Sequence, residues 1–300
     1  MTDTRIAFLH GRRVWDSRGR PTLEADVLLE GGSVGRGMAP AGASTGSGEA
    51  LDLRDGGSAF GGYDVTRALE QLNTVIGRAL VGQDAADQAA VDAALVALDG
   101  TATRSRLGAN AMTAVSMAIA HAAAGAIGEP LYRYLGGPGA TTLPLPQIQI
   151  FGGGAHAGRR VDIQDFLVVC PGAGSFAEAL DWTAEVYRAA GVLMEEAGQR
   201  AGVADEGGWW PAFATNEQAL ETLVRAIERA GFVPGRQVAI ALDVAASEFG
   251  RGGRYRLGLE NRELDTDGMI RLLAGWVGAY PIVSIEDPLA EDDPAGFAAF

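Results

Sequence analysis

Val238-Ala-Ile-Ala-Leu-Asp243 and Pro281-Ile-Val-Ser-Ile-Glu286, the second running into Asp287-Pro288, are the stretches on which the fold turns. Each is a short, continuously apolar run, the pattern of a strand buried on both faces in a parallel sheet covered by helices. Each ends on a carboxylate. In an α/β barrel the carboxyl ends of the strands are where chemistry is assembled, and two acids there could converge on one hard cation. An acid at such a place also caps the turn or helix that follows, so the two runs alone leave both readings open.

Outward from these runs the pattern is strands alternating with helices. Leu143 to Phe151 and Asp162 to Val169 read as strands. Ser175 with Glu178, and Thr215 with Gln218, form capping-box signatures before helices. The second helix carries Leu220, Leu223 and Ile227 on one face and stops at Gly231, and a third, with Met269, Leu272, Leu273 and Trp276, precedes the run ending at Glu286. About five barrel-type strands are legible where a closed barrel has eight. A chain that ended there would leave strand edges unpaired, so these residues are expected to be the first part of a longer protein.

The amino-terminal part is built differently. Thr22 to Leu29 and Ser33 to Met38 alternate in polarity around Gly31-Gly32, as an antiparallel meander does. Asp64 to Leu80, Ala86 to Leu98 and Ala109 to Ile127 follow at helical spacing. A Gly-Gly-Pro-Gly stretch at 136–139 marks the inter-domain turn, giving an α+β domain over 1–138 and barrel from 139 to 300.

Composition excludes some functions. The 300 residues are 47% apolar, enough for a substantial core. Against 38 acids stand 24 basic residues, all arginine, so the chain has no lysine and a net charge of −14. Nucleic acid and anionic membranes are poor partners for such a surface. Cys170, the single cysteine, lies in the apolar run Phe166-Leu-Val-Val-Cys170 and is expected in the core. Met1-Thr-Asp-Thr-Arg-Ile6 lacks the apolar core of a secretion signal, and Thr113, Ser116 and His121 interrupt the alanine-rich 111–127 stretch. The expected compartment is the cytoplasm.

Seven motifs in order and register carry a resemblance: Asp16-Ser-Arg-Gly-Arg-Pro-Thr22, Gly42-Ala-Ser-Thr-Gly46, Leu107-Gly-Ala-Asn110, Gly153-Gly-Ala-His-Ala157, Asp205-Glu-Gly-Gly208, Leu242-Asp-Val-Ala-Ala-Ser-Glu-Phe249 and Ser284-Ile-Glu-Asp-Pro288. Over essentially its whole length the chain resembles the enolase family. The resemblance implies an N-terminal α+β domain followed by a modified (β/α)8 TIM-type barrel, incomplete in this chain. It implies a magnesium-dependent lyase that dehydrates 2-phosphoglycerate reversibly to phosphoenolpyruvate, commonly as a homodimer or higher homo-oligomer.

Residue by residue, the resemblance makes Asp243 and Glu286 two of three carboxylates on the structural Mg2+, and Ser44, in the glycine-rich loop, a ligand of a second Mg2+ that arrives with substrate. Glu206 matches the acid that helps the hydroxyl depart, and His156 and Gln164 match substrate-pocket residues. Asp165 stands at the family's pocket glutamate and is expected, with Glu206, to be catalytic, and Ser44 is expected to bind substrate as well as metal. Taken singly, Glu206 is an ordinary turn acid, His156 a structural histidine and Gly42 to Gly46 a small-residue turn. The family's base is a lysine; it, the third metal-binding aspartate and a Ser-His-Arg phosphate segment are expected after Phe300.

Several positions depart from the family pattern. Asp165 withdraws its carboxylate by one methylene, roughly 1.5 Å. Gln149 and Gly152 replace asparagines, Trp209 and Trp210 replace a smaller pair, Ala212 replaces a polar residue and Ala41 a serine. Clustered changes of this kind fit an altered substrate. The alternatives are therefore a paralogue of specialised metabolism, such as the carboxyphosphonoenolpyruvate synthase of phosphonate antibiotic pathways, or a non-catalytic protein of the same fold.

Overall fold

The computed structural model describes residues 3–300, which divide into two compact units, 3–142 and 143–300. The first unit opens with an antiparallel sheet of β1 (Ile6–Trp15), β2 (Pro21–Leu29) and β3 (Val34–Met38) in that spatial order. Leu23, Ala25, Val27 and Leu29 alternate inward along β2 and are buried, as period-two patterning requires. The strand β1 is an addition to the elements expected from sequence. Arg12 on it pairs with Glu24 and Asp26 of β2, and the charged pair Arg12-Arg13 interrupts the strand's apolar pattern in the sequence.

A helical run follows, made of α1 (Thr66–Glu70), a π-helical turn (Gln71–Ile76) and α2 (Gly77–Leu80), and then α3 (Gln88–Asp99), α4 (Ala109–Ala126) and α5 (Leu131–Gly136). Asp87 caps α3 by accepting from the Ala90 N–H at 3.0 Å. The alanines of α4 let a strand approach its backbone. A Cβ on Gly37 of β3 would stand 2.2 Å from the Ala114 carbonyl oxygen, so only glycine fits there. The helix is buried along most of its length, as expected.

The second unit is built on six strands: β4 (Gln147–Gly152), β5 (Asp165–Val169), β6 (Arg200–Val203), β7 (Trp209–Pro211), β8 (Ala239–Asp243) and, after a small separate sheet of β9 (Gly250–Arg251), β10 (Arg254–Leu257) and β11 (Arg262–Asp265), β12 (Ile282–Glu286). Their order is β12-β8-β5-β4-β7-β6. The helices α6 (Phe176–Glu196), α7 (Asn216–Arg229), α8 (Thr266–Ala279) and α9 (Pro294–Ala299) complete the unit. Ser175 and Thr215 cap α6 and α7 by accepting from Glu178 N and Gln218 N; the reciprocal bonds of Glu178 and Gln218 go one residue further back, to Gly174 N and Ala214 N.

Two sequence expectations change here. The sheet is not uniformly parallel: β5 runs antiparallel to both β4 and β8, and β6 antiparallel to β7. Nor are both carboxylate-ended strands buried on two faces. The interior strand β8 is buried from Ala239 to Leu242, but β12 is an edge of the sheet and Val283 is 60% exposed. Pro144 and Pro146, which lack the N–H a ladder needs, hold back the start of β4 to Gln147. Cys170 is buried. Among the described residues no helix is long and apolar enough to cross a membrane.

Candidate metal and acid-base site

Because β5 runs against β8, its first residue lies beside the last residue of its neighbour. Asp165 is the register partner of Asp243, and Asp243 of Glu286. Three carboxylates therefore form one row across β5, β8 and β12, and the row continues on β4 at Gly152, the partner of Asp165. Opposed residues of neighbouring strands share a face of the sheet, so the acids are gathered by register alone.

Crowding acids out of water makes ionisation costly. Burial, with the charges of Glu206 and Glu286 beside it, pushes the Asp165 carboxyl up to about 6, although the hydrogen bond from Gln149 opposes the shift. Burial, Glu286 and Asp165 push Asp243 up to about 6 as well. Asp243 accepts from Gln164 Nε2 on one oxygen and from the Ala245 N–H on the other, each at 3.0 Å. The second bond is the local turn-capping role, but it leaves the row of like charges unexplained.

Both strands leave the row through strained backbone. Ala245 and Asp287 occupy the left-handed region at φ 46° and 44°, conformations that cost non-glycine residues about 1–3 kcal/mol and persist where the surroundings fix them. Here the two exits hold each other: Val244 N donates to the Glu286 carbonyl at 3.0 Å and Ala246 N to that of Asp287 at 3.1 Å. Glu286 itself is exposed.

His156 comes from a short helical turn, Gly154–Ala157, just after β4 and is buried. Its Nε2 lies 3.4 Å from Glu206 Oε1. Glu206 occupies the tight turn between β6 and β7, closed by Ala204 N donating to Gly208 O at 2.7 Å. The side chain is about half exposed, at 49%. His156, Asp165 and Glu206 each offer a ligand atom, and the three atoms lie within 4.8 Å of one another. Asp243, the neighbour of Asp165 in the row, and Glu286, the neighbour of Asp243, stand outside that trio.

The departures around this turn have structural work to do. Trp209 stacks on Tyr187 at 4.6 Å and donates to its carbonyl at 2.9 Å, while the Tyr187 hydroxyl donates to Gly207 O at 2.9 Å, so the pair anchors the Glu206 turn. Trp210 lies against Gly158, beside the His156 turn, with the Arg160 guanidinium 5.8 Å from its ring. Ala212 donates its N–H to Gln199 O just past β7. Gln149, marked in the sequence only as a departure, touches both acids: its Nε2 donates to Asp165 Oδ1 and, at 3.4 Å, to Glu206 Oε2. The available signal was the paired change in side-chain length at 149 and 165.

Ser44 belongs to the first unit, half-buried on the loop after β3; the other expected site residues, His156, Gln164, Asp165, Glu206, Asp243 and Glu286, are in the second. Gln164 Oε1 and His156 Nδ1 are buried without a protein partner. An unmade buried bond costs about 1–3 kcal/mol, so both atoms favour a ligand that completes them. A row of carboxylates with no arginine paired to it among the described residues suits a hard divalent cation, and Asp243 and Glu286, register partners at the ends of β8 and β12, could hold one.

Both parts of the chain match enolase. Residues 6–135 match the family described as enolase, N-terminal domain, and residues 140–300 that described as enolase, C-terminal TIM barrel domain.

Proposed function

The chain belongs to the enolase family, whose chemistry is of the lyase type, and from that premise we propose that it serves the magnesium-dependent, reversible dehydration of 2-phosphoglycerate to phosphoenolpyruvate. The observation that carries the reading is the row Asp165, Asp243 and Glu286, with His156 and Glu206 gathered at the Asp165 end.

Taking a proton from the carbon beside a carboxylate leaves concentrated negative charge, and the hydroxyl that must leave is a poor leaving group. Asp243 and Glu286 would hold a magnesium ion, which when bound supplies Lewis-acid charge to that intermediate. Glu206 would hand a proton to the departing hydroxyl, a general-acid task contributing typically about 10²–10⁴-fold. His156 lies beside Glu206 and would orient it and the leaving group, while Gln164 fixes one oxygen of Asp243. The base of the family is a lysine, and this sequence has none; the described residues account for the cation-holding and leaving-group sides of the reaction.

The test is the specificity constant for 2-phosphoglycerate with magnesium, followed as formation of the enol product. A value in the ordinary range of roughly 10⁴–10⁸ M⁻¹s⁻¹ supports the proposal. Negligible dehydration by the full-length protein, folded and binding magnesium, would instead favour a relative with another substrate.

A further inference from the structure

We propose that Gln149 is a positioning residue that ties the Glu206 turn to Asp165, and that Gln149 and Asp165 act as one pair whose combined length, rather than either side chain, is fixed by the fold. The inference rests on the reading that Asp165 and Glu206 take part in the reaction.

The geometry begins with a bulge. In the register of β4 on β5, Gln149 opposes Leu167 and Gly152 opposes Asp165, with one extra residue of β4 between them. Leu167 and Asp165 are two apart on β5 and share a face, so the bulge puts Gln149 and Gly152 on that face too, three residues apart. An unbroken strand would have sent one of them to the opposite side.

On that face the Gln149 carboxamide is consumed by the protein. Its oxygen accepts from Gly208 N at 2.8 Å, and its nitrogen donates to Asp165 Oδ1 and Glu206 Oε2. Both donor hydrogens have partners, and the residue is buried. Gln149 thus holds groups in place instead of meeting substrate. Space has been cleared for it: a Cβ on Gly208 would stand 2.4 Å from Gln149 Oε1, and a Cβ on Gly152 would lie 3.3 Å from its amide and 2.4 Å from the Ala204 Cβ.

The strands fix both Cα positions, so the bridge is made only if the two side chains together supply the reach. Glutamine and aspartate together contain as many methylenes as asparagine and glutamate, the pair that the family resemblance puts at these positions. The shorter acid is therefore matched by the longer amide. Lengthening Asp165 alone drives it into the Gln149 amide, and shortening Gln149 alone leaves Gly208, Asp165 and Glu206 without their common partner.

The experiment is a double-mutant cycle on the full chain, measuring kcat and KM with magnesium and 2-phosphoglycerate for Gln149→Asn, Asp165→Glu and the double variant. A misplacement of about 1 Å costs on the order of 10²-fold in rate, so each single change is expected to lower kcat roughly 10–100-fold with KM little altered. The double variant is expected to recover to within about threefold of the starting protein, a non-additivity that independent sites do not show. Losses that multiply in the double variant would overturn the proposal. Gln149→Met keeps nearly the same volume without hydrogen bonds and is expected to lose kcat as Asn does; unchanged kcat would also overturn it. If the parent protein does not dehydrate 2-phosphoglycerate, the functional reading fails, and the pair is judged by thermal melting of the same cycle, where additive shifts in Tm overturn it and recovery in the double variant supports it.

Discussion

Asp165 and Asp243 stand opposite each other on antiparallel strands, the first residue of β5 beside the last of β8. Neither acid has a cationic partner among the described residues, and each is pushed up to about 6, by burial first and then by neighbouring carboxylates, Glu206 and Glu286 at Asp165 and Glu286 and Asp165 at Asp243. The folded chain holds these carboxylates together against their repulsion, which is the condition a divalent cation relieves.

Replacing Asp243 by Asn should weaken magnesium binding by well over the roughly 10–100-fold that loss of a supporting group typically costs a metal site. Titration calorimetry reads this directly. Equal affinity in both proteins would remove Asp243 from the ligand set.

Glu206→Gln should lower turnover by about 10²–10⁴-fold with KM nearly unchanged, because the proposed role is a proton delivered in the transition state. The Gly208 bond to Gln149 does not involve this side chain, so the turn should persist. Steady-state kinetics at saturating magnesium decide the matter, and an unaltered kcat excludes the role.

Without magnesium, stability should fall as pH rises from about 4 to 6. Asp165 and Asp243 titrate near 6 in the folded chain and from the ordinary 3.8 when unfolded. Between these values the unfolded chain has released protons that the folded chain keeps, so rising pH favours unfolding, and the loss is complete above about 6. Melting curves in chelator at pH 4.5 and 7.5, for the parent and for Asp243→Asn, isolate the effect. The variant should lose less over this interval, and saturating magnesium should raise the parent's Tm more at the higher pH. An equal pH response in parent and variant would contradict the assignment.

Gly37→Ala should destabilise the first unit by at least the roughly 1–3 kcal/mol of an overpacked core, since the new Cβ would meet the Ala114 carbonyl at 2.2 Å with backbone on both sides of the contact. Chemical denaturation measures it. A change below about 0.5 kcal/mol would mean that α4 and β3 separate more easily than their packing implies.

What local chemistry encodes was legible in the sequence. The capping pairs at Ser175 and Thr215, the helix over Ala109–Ala126, the meander around Gly31-Gly32, and the strands ending at Asp243 and Glu286 each depend on residues within a few positions of one another. The motifs in register identified the family for the same reason, as fixed residues at fixed spacing. The direction of β5 could not be read, because period-two alternation is the same in either direction; only pairing with β4 and β8 reverses it and sets Asp165 beside Asp243. Nor could the role of Gln149, since it depends on a bulge and on Gly208, which is 59 residues away in sequence. Sequence determined which acids and helices this protein has. Tertiary structure decided which of them meet, because register and strand direction are set by contacts between segments that carry no local record of each other.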